Sequence, residues 1–195
     1  MNMKVLAQYY RNHEGAATIE FVTIAFALFM MVFFVVELTL LLFFSLSAQK
    51  AAQIGARLAI VSDPVVLAMP TTNSKTTNGI FGVACSDISL PCLDFGTITC
   101  TGGGAGCDVA SFSRILVGMK RFLGQLEAED VTIDYTYSGL GFAGGPTVPV
   151  VRITLSGVSY QTGIIGSIIG SRGPFSSLPA VSVTLTGEDL SQGGA

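Results

Sequence analysis

Residues 21–44 read FVTIAFALFMMVFFVVELTLLLFF, a run of 24 residues with one charge, Glu37. A helix of that length reaches about 36 Å, enough to cross a hydrocarbon core of about 30 Å with some tilt. A secretory signal peptide is the first competing reading. Its apolar core is about 7–15 residues long and ends at a small-x-small cleavage site. The run here is much longer and reads as a retained anchor. Residues 164–169 form the next apolar stretch, too short to span and interrupted by glycine.

Working outward, no glycine or proline interrupts residues 16–53, so one continuous helix is expected from residue 16 to about 61. Gly55 is its first weak point. Asp63-Pro64 ends the pattern, because the residue before a proline is pushed out of the α region. Beyond the apolar run, Gln49, Lys50, Gln53 and Arg57 recur at helical spacing opposite Ala51, Ile54, Leu58 and Val61. That is an amphipathic stem, able to lie against its own domain or a partner helix.

Residues 63–110 are rich in turn formers and contain all four cysteines and the glycine run at 102–106, so little regular structure is expected there. A second helix is expected at about 111–128, with Phe112, Ile115, Leu116, Met119, Phe122, Leu123 and Leu126 on one face. Asp108 or Ser111 can cap its start. Period-two alternation then marks three strands, around Val131–Tyr137, Val151–Leu155 and Val181–Leu185. One helix stripe over an antiparallel sheet with a single apolar face is an α+β unit. The expected division is a head at 1–15, an anchor and stem at 16–62, a cysteine-bearing loop region at 63–110 and an α+β domain at 111–195.

Half of the 195 residues are hydrophobic, 12% are charged, and the net charge is −3 with no basic cluster. Nucleic acid is therefore not an expected partner. Lys4 and Arg11 before the span are nearly balanced by Lys50 and Arg57 after it, so the positive-inside count does not orient the chain. The cysteines orient it. Cys85, Cys92, Cys100 and Cys107 form an even set in one short stretch, with six, seven and six residues between them. Disulfides in an oxidising compartment are expected, which puts the domain after the span outside the cytoplasm. Zinc is disfavoured because these spacings are wider than the usual two to four residues.

Just ahead of the span lies Gly15-Ala16-Ala17-Thr18-Ile19-Glu20-Phe21, after a short basic head. This resembles a type IV prepilin cleavage site of the Flp kind. The resemblance implies that a prepilin peptidase cuts after Gly15 and leaves Ala16 as the new N-terminus. An acid at the edge of the lipid is unfavourable, and the N-terminal amine of a neighbouring chain would neutralise Glu20. Glu37 lies deeper, where a carboxylate is far from water, and is read as pairing with a partner in the membrane. The short head, the G-x-x-x-x-E-F motif, the span with its second acid and the Ala-rich stem (Ser47 to Arg57) together resemble the TadE-like proteins. These are pseudopilins of the tight-adherence, or Flp pilus, assembly system. The resemblance is confined to about residues 15–60, apart from a strand at Pro149-Val150-Val151-Arg152-Ile153-Thr154. The stem departs from the pattern in lacking an acid before Gly55, and the cysteine segment has no counterpart in it. Implied partners are other pilin or pseudopilin subunits, inner-membrane Tad assembly components and the prepilin peptidase.

No enzyme is expected, and no cofactor or metal. The lone histidine, His13, lies in the head, so the exported part lacks a histidine base. Gly139-Leu140-Gly141-Phe142-Ala143-Gly144 matches G-x-G-x-x-G but leads into another strand, so no helix N-terminus awaits a pyrophosphate. It reads as a hairpin loop. The glycine run at 102–106 lacks the Lys-Ser/Thr of a phosphate loop. Glu127, Glu129, Asp130 and Asp134 read as a solvated corner. The competing function is a single-pass, membrane-anchored periplasmic binding or sensory module unrelated to pili.

Overall fold

The protein is described by a computed structural model over residues 15–159 and 179–187. The head up to residue 14, the apolar run at 164–169 and the C-terminal residues from 188 lie outside that range. Helix α1 runs unbroken from Ala16 to Val61, 46 residues and about 69 Å long. Thr23, Thr39 and Ser47 donate their hydroxyls to the carbonyls of Ile19, Val35 and Phe43 at 2.8, 2.8 and 2.9 Å. Those bonds satisfy the polar side chains from within the helix, as a non-aqueous surrounding requires. The helix stops at Ser62, whose backbone is extended, directly before Asp63-Pro64.

Strand β1 (Thr97–Thr101) comes next, then helix α2 (Val109–Lys120), a 3-10 turn (Ala128–Asp130), β2 (Val131–Thr136), β3 (Val150–Leu155) and β4 (Val181–Thr186). The four strands pair antiparallel in the order β1-β2-β3-β4. The fold is thus α+β, as expected, with strands β2 to β4 in the expected places.

Two expectations change. Strand β1 lies inside the segment expected to be irregular, and Ile98 and Cys100 are its inward residues. Helix α2 is shorter than expected. It starts earlier, because Asp108 accepts the N–H groups of Ala110 and Ser111, and it stops at Lys120. Beyond that, the N–H groups of Phe122 and Leu123 both turn back to the Met119 carbonyl, at 3.0 and 3.2 Å. Leu123 and Leu126 are still buried, but from a turn, while Phe122 is 43% exposed.

The core lies between one face of the sheet and two helices. Val131, Ile133 and Tyr135 of β2 and Val151, Ile153 and Leu155 of β3 meet Phe112, Ile115 and Met119 of α2. The stem of α1 packs on the same side, against β3, β4 and α2. On the opposite face the outward positions of the four strands are mostly hydroxyl residues: Thr97, Thr99, Thr101, Thr132, Thr136, Thr154, Ser182, Thr184 and Thr186. Asp134 on that face accepts from Thr99 Oγ1 at 2.8 Å.

Candidate functional site

The first half of α1 is built for an apolar surrounding. None of its most apolar 18 residues is buried, and Phe21, Phe26, Phe29 and Phe43 are each more than half exposed. An apolar surface of that extent is not sustained in water and marks a membrane or protein contact. With its length and composition, this half fits a single-pass membrane anchor.

Gly15 stands at the N-terminal cap, and its carbonyl accepts the Ile19 N–H at 3.1 Å. Its φ is −93°, and a Cβ placed on it would meet nothing within 4 Å. Neither its backbone nor its packing against the described residues demands glycine there. Ala16 is the first helical residue, exposed like Glu20 and Phe21. Glu20 follows Ala16 by four positions, so the two share a face of the helix. Glu37 lies 17 residues beyond Glu20, about 25 Å along the axis, and is half-buried.

Past the lipid-length run, α1 changes character. Ala48, Ala51, Ala52, Gly55, Ala56 and Ala59 are buried at helical spacing. The apolar side of the stem was expected at Ala51, Ile54, Leu58 and Val61. Ala51 is fully buried in the interface, whereas Ile54 and Leu58 flank it half-buried and Val61 is 62% exposed. Small side chains face the sheet because the helix comes very close. A Cβ on Gly55 would lie 2.6 Å from Met119 Sδ and 3.0 Å from Ile153 Cδ1. A Cβ on Gly118 of α2 would collide with Leu58 Cδ1.

The four cysteines form two disulfides, Cys85–Cys92 and Cys100–Cys107, and none of them is free. The second joins β1 to the residue before the cap of α2, inside the main core. The first closes a surface loop over a small satellite cluster with Ala143. Each closes an eight-residue loop, about 2.5 kcal/mol of stabilisation in the chain-entropy view.

The glycine-rich stretch 139–144 lies between β2 and β3 and is organised by Asn73, which the sequence reading passed over. Asn73 is buried, and its Nδ2 donates to the carbonyls of Leu140 and Pro146 at 3.3 and 3.2 Å. Gly141 has a φ of +86°, and a Cβ there would lie 2.8 Å from Asn73 Nδ2. The motif is a loop wound round an amide. The acidic corner is likewise structural: Asp130 accepts the Glu127 N–H at 2.9 Å. Among the described residues no group of three or more His, Cys, Asp or Glu is placed to hold a metal.

Residues 15–57 match the family model described as TadE-like protein. Neither a curated protein nor a solved structure matches the chain. The matched segment covers the G-x-x-x-x-E-F motif, the bare half of α1 and most of the docked stem, and it ends before the first cysteine and the first strand.

Proposed function

We propose that this chain is a non-catalytic, pseudopilin-like subunit of a Tad/Flp pilus assembly machine, held in the bacterial inner membrane by α1. In this reading a prepilin peptidase cuts after Gly15, and the new amine at Ala16 pairs with Glu20 of a neighbouring subunit. The N-terminus starts in the cytoplasm and the α+β domain lies in the periplasm. There the two disulfides suit an oxidising compartment.

The observation that carries the reading is the division of α1. One unbroken helix is docked on its own domain from Ala48 to Ala59, while the half bearing the TadE-like motif offers its apolar surface outward. A helix rooted in this way holds its domain at a fixed distance from the bilayer and leaves its other half free to insert among other subunits. Gly15 supports processing. A Cβ there would meet none of the described residues, which supports a glycine kept for an enzyme site rather than for this fold.

Intact mass of protein extracted from membranes under non-reducing, alkylating conditions tests this. The expected chain starts at Ala16, has 195 − 15 = 180 residues and carries no alkyl group. Gly15→Val should retain the head. An intact Met1 in cells with active prepilin peptidase would overturn the processing step. Alkylation of the cysteines in native protein would overturn the periplasmic placement.

A further inference from the structure

Beyond α1, most of the large exposed apolar side chains gather on one unit, the loop closed by Cys85–Cys92 together with the turn at 142–145. Backbone bonds join the two segments. The Gly82 and Cys85 N–H groups donate to the Ala143 and Gly141 carbonyls, and the Ala143 N–H donates to the Val83 carbonyl. Phe81 and Phe142 lie against adjacent glycines of the turn. A Cβ on Gly144 would be 2.6 Å from Phe81 Cδ1, and one on Gly145 would be 2.6 Å from Phe142 Cε2. Ile80 precedes Phe81, and the turn ahead of it is fastened to the far side of the loop. There the Thr76 N–H donates to the Pro91 carbonyl at 2.8 Å, and the Thr76 hydroxyl donates to the Leu90 carbonyl at 3.2 Å. A turn closed by the Leu90 N–H on the Asp87 carbonyl carries Ile88, which is 99% exposed. Ile80, Phe81, Ile88, Leu90 and Phe142 thus belong to one exposed surface held by backbone bonds.

The domain itself gains little from this surface. Leu90 is the one non-glycine among the described residues with a positive φ, +43°, a region disfavoured for any residue with a Cβ. Its side chain is nevertheless 69% exposed, so the strained position is not repaid by packing within the chain. Strain kept at an exposed apolar residue points to a contact outside the chain. The area points the same way. At about 200 Å² for a free side chain of this size, the five residues expose roughly 700 Å². The largest apolar patch on an ordinary monomer is about 300–600 Å², whereas a stable complex uses about 800 Å² on each partner. We propose that this surface is the contact between two copies of this chain, meeting face to face about a two-fold axis. Two such faces bury about 1,400 Å² together, within the range of a specific interface. The rim carries both signs of charge: the Lys75 ammonium lies 5.7 Å from the centre of the Phe81 ring, and Asp87 adjoins Ile88. A two-fold contact is self-complementary, so a cation and an acid on one rim can each face its opposite on the second copy. The same acid disfavours a lipid surface as the occupant. The N–H and hydroxyl of Ser89 hold the Asp87 carboxyl below its ordinary range, so the loop tip stays charged, and a charge is costly among lipid tails. The proposal stands whether or not the chain serves a pilus.

The test puts the photo-crosslinking residue p-benzoylphenylalanine in place of Ile88 in the full chain and irradiates intact cells. The expected product has the mass of two chains, and its joined peptide comes from the 80–93 loop or the 142–145 turn of the second copy. Ile80→Ser/Leu90→Gly should lower the yield about tenfold, as the loss of two apolar anchors from an interface does. Leu90→Gly alone should melt no lower than the parent, because glycine accepts the left-handed backbone. A lower melting temperature would give Leu90 a structural role and overturn the argument from strain. Val117→Ser, at an exposed position on α2, should leave the yield unchanged. So should Glu20→Gln, and a loss there would assign the pairing to the membrane helices and overturn the patch. An adduct with another protein or with a phospholipid would overturn the second copy as occupant, as would the absence of any adduct. An unchanged yield in Ile80→Ser/Leu90→Gly would do the same.

Discussion

Tyr135 is the largest fully buried side chain among the described residues, and its hydroxyl accepts the Val65 N–H at 3.3 Å. Val65 follows Pro64, where the chain has just left α1, so this bond ties the foot of the anchor helix to the middle of the sheet. Tyr135→Phe keeps the ring but orphans a buried N–H, a loss of about 1–3 kcal/mol. Burial pushes the phenol above its ordinary value of 10.0. A raised pKa in the folded state means that the neutral form is favoured there. Its contribution is complete below about pH 10 and is lost as the pH climbs through the raised value. Denaturant unfolding at pH 8 and above pH 10 should therefore show an alkaline loss that is smaller in Tyr135→Phe. An unchanged alkaline slope would show that Tyr135 does not govern it. At the other end of the chain, Glu20→Gln keeps shape and hydrogen-bonding capacity while removing charge. The variant should insert normally, since an amide is easier to bury than a carboxylate. Crosslinking to other pilin-like subunits and pilus-dependent adherence should fall, because a partner's amine is left unpaired. A variant that associates and adheres like the parent would remove Glu20 from the assembly mechanism.

Among the elements, the crossing of α1 over α2 and the sheet depends on two glycines in unequal settings. Gly55 faces Met119 and Ile153, both fully buried, whereas Gly118 faces the tip of Leu58, which is half-buried and has room to turn. Gly55→Val should cost about 2–3 kcal/mol by overpacking. Gly118→Ala should stay within about 1 kcal/mol of the parent, since helix propensity gained offsets the contact. Equal thermal shifts for the two would mean that the stem is not held at this distance. The docked face was the least legible part of the sequence, for a related reason. Hydrophobic periodicity gives most weight to large side chains, so Ile54, Leu58 and Val61 stood out, with Ala51 the one residue of the expected face that is fully buried. Closeness of approach selected the alanines instead. Strand β1 was hidden in the same way: Cys100 drew attention as half of a disulfide, while it is also an inward residue of an alternating strand. The long helix, the three later strands and the partnered cysteines were legible because each follows from local spacing. Asn73 was not, because its partners are carbonyls of residues 140 and 146, brought to it only by the fold.

At the scale of the whole molecule, α1 is both anchor and core element, and the two roles meet between Phe44 and Ala48. The apolar run before that boundary needs an apolar surrounding and fits a membrane span. The stem after it supplies buried residues that the sheet cannot replace, since Ala48, Ala51, Ala52, Ala56 and Ala59 all belong to the main core. Their loss would open one side of Met119 and Ile153 and leave β4, an edge strand among the described residues, without the helix that lies on it. An uncovered apolar face on an edge strand is also an aggregation hazard. Two truncations separate the roles. A chain beginning at Ser45 keeps every stem residue that is buried and discards the exposed apolar half. It should be soluble without detergent, carry both disulfides and unfold in one cooperative transition. A chain beginning at Ser62 differs only by removal of the stem. It should aggregate or lose near-ultraviolet dichroism, because the burial lost is a whole helix face and a domain's stability is only about 5–15 kcal/mol in total. Oxidative refolding of both, followed by thermal unfolding and gel filtration, gives the comparison. If the shorter chain folds as well as the longer one, the stem is a tether lying on a finished domain. The coupling of anchor to domain drawn from the docked alanines would then be wrong.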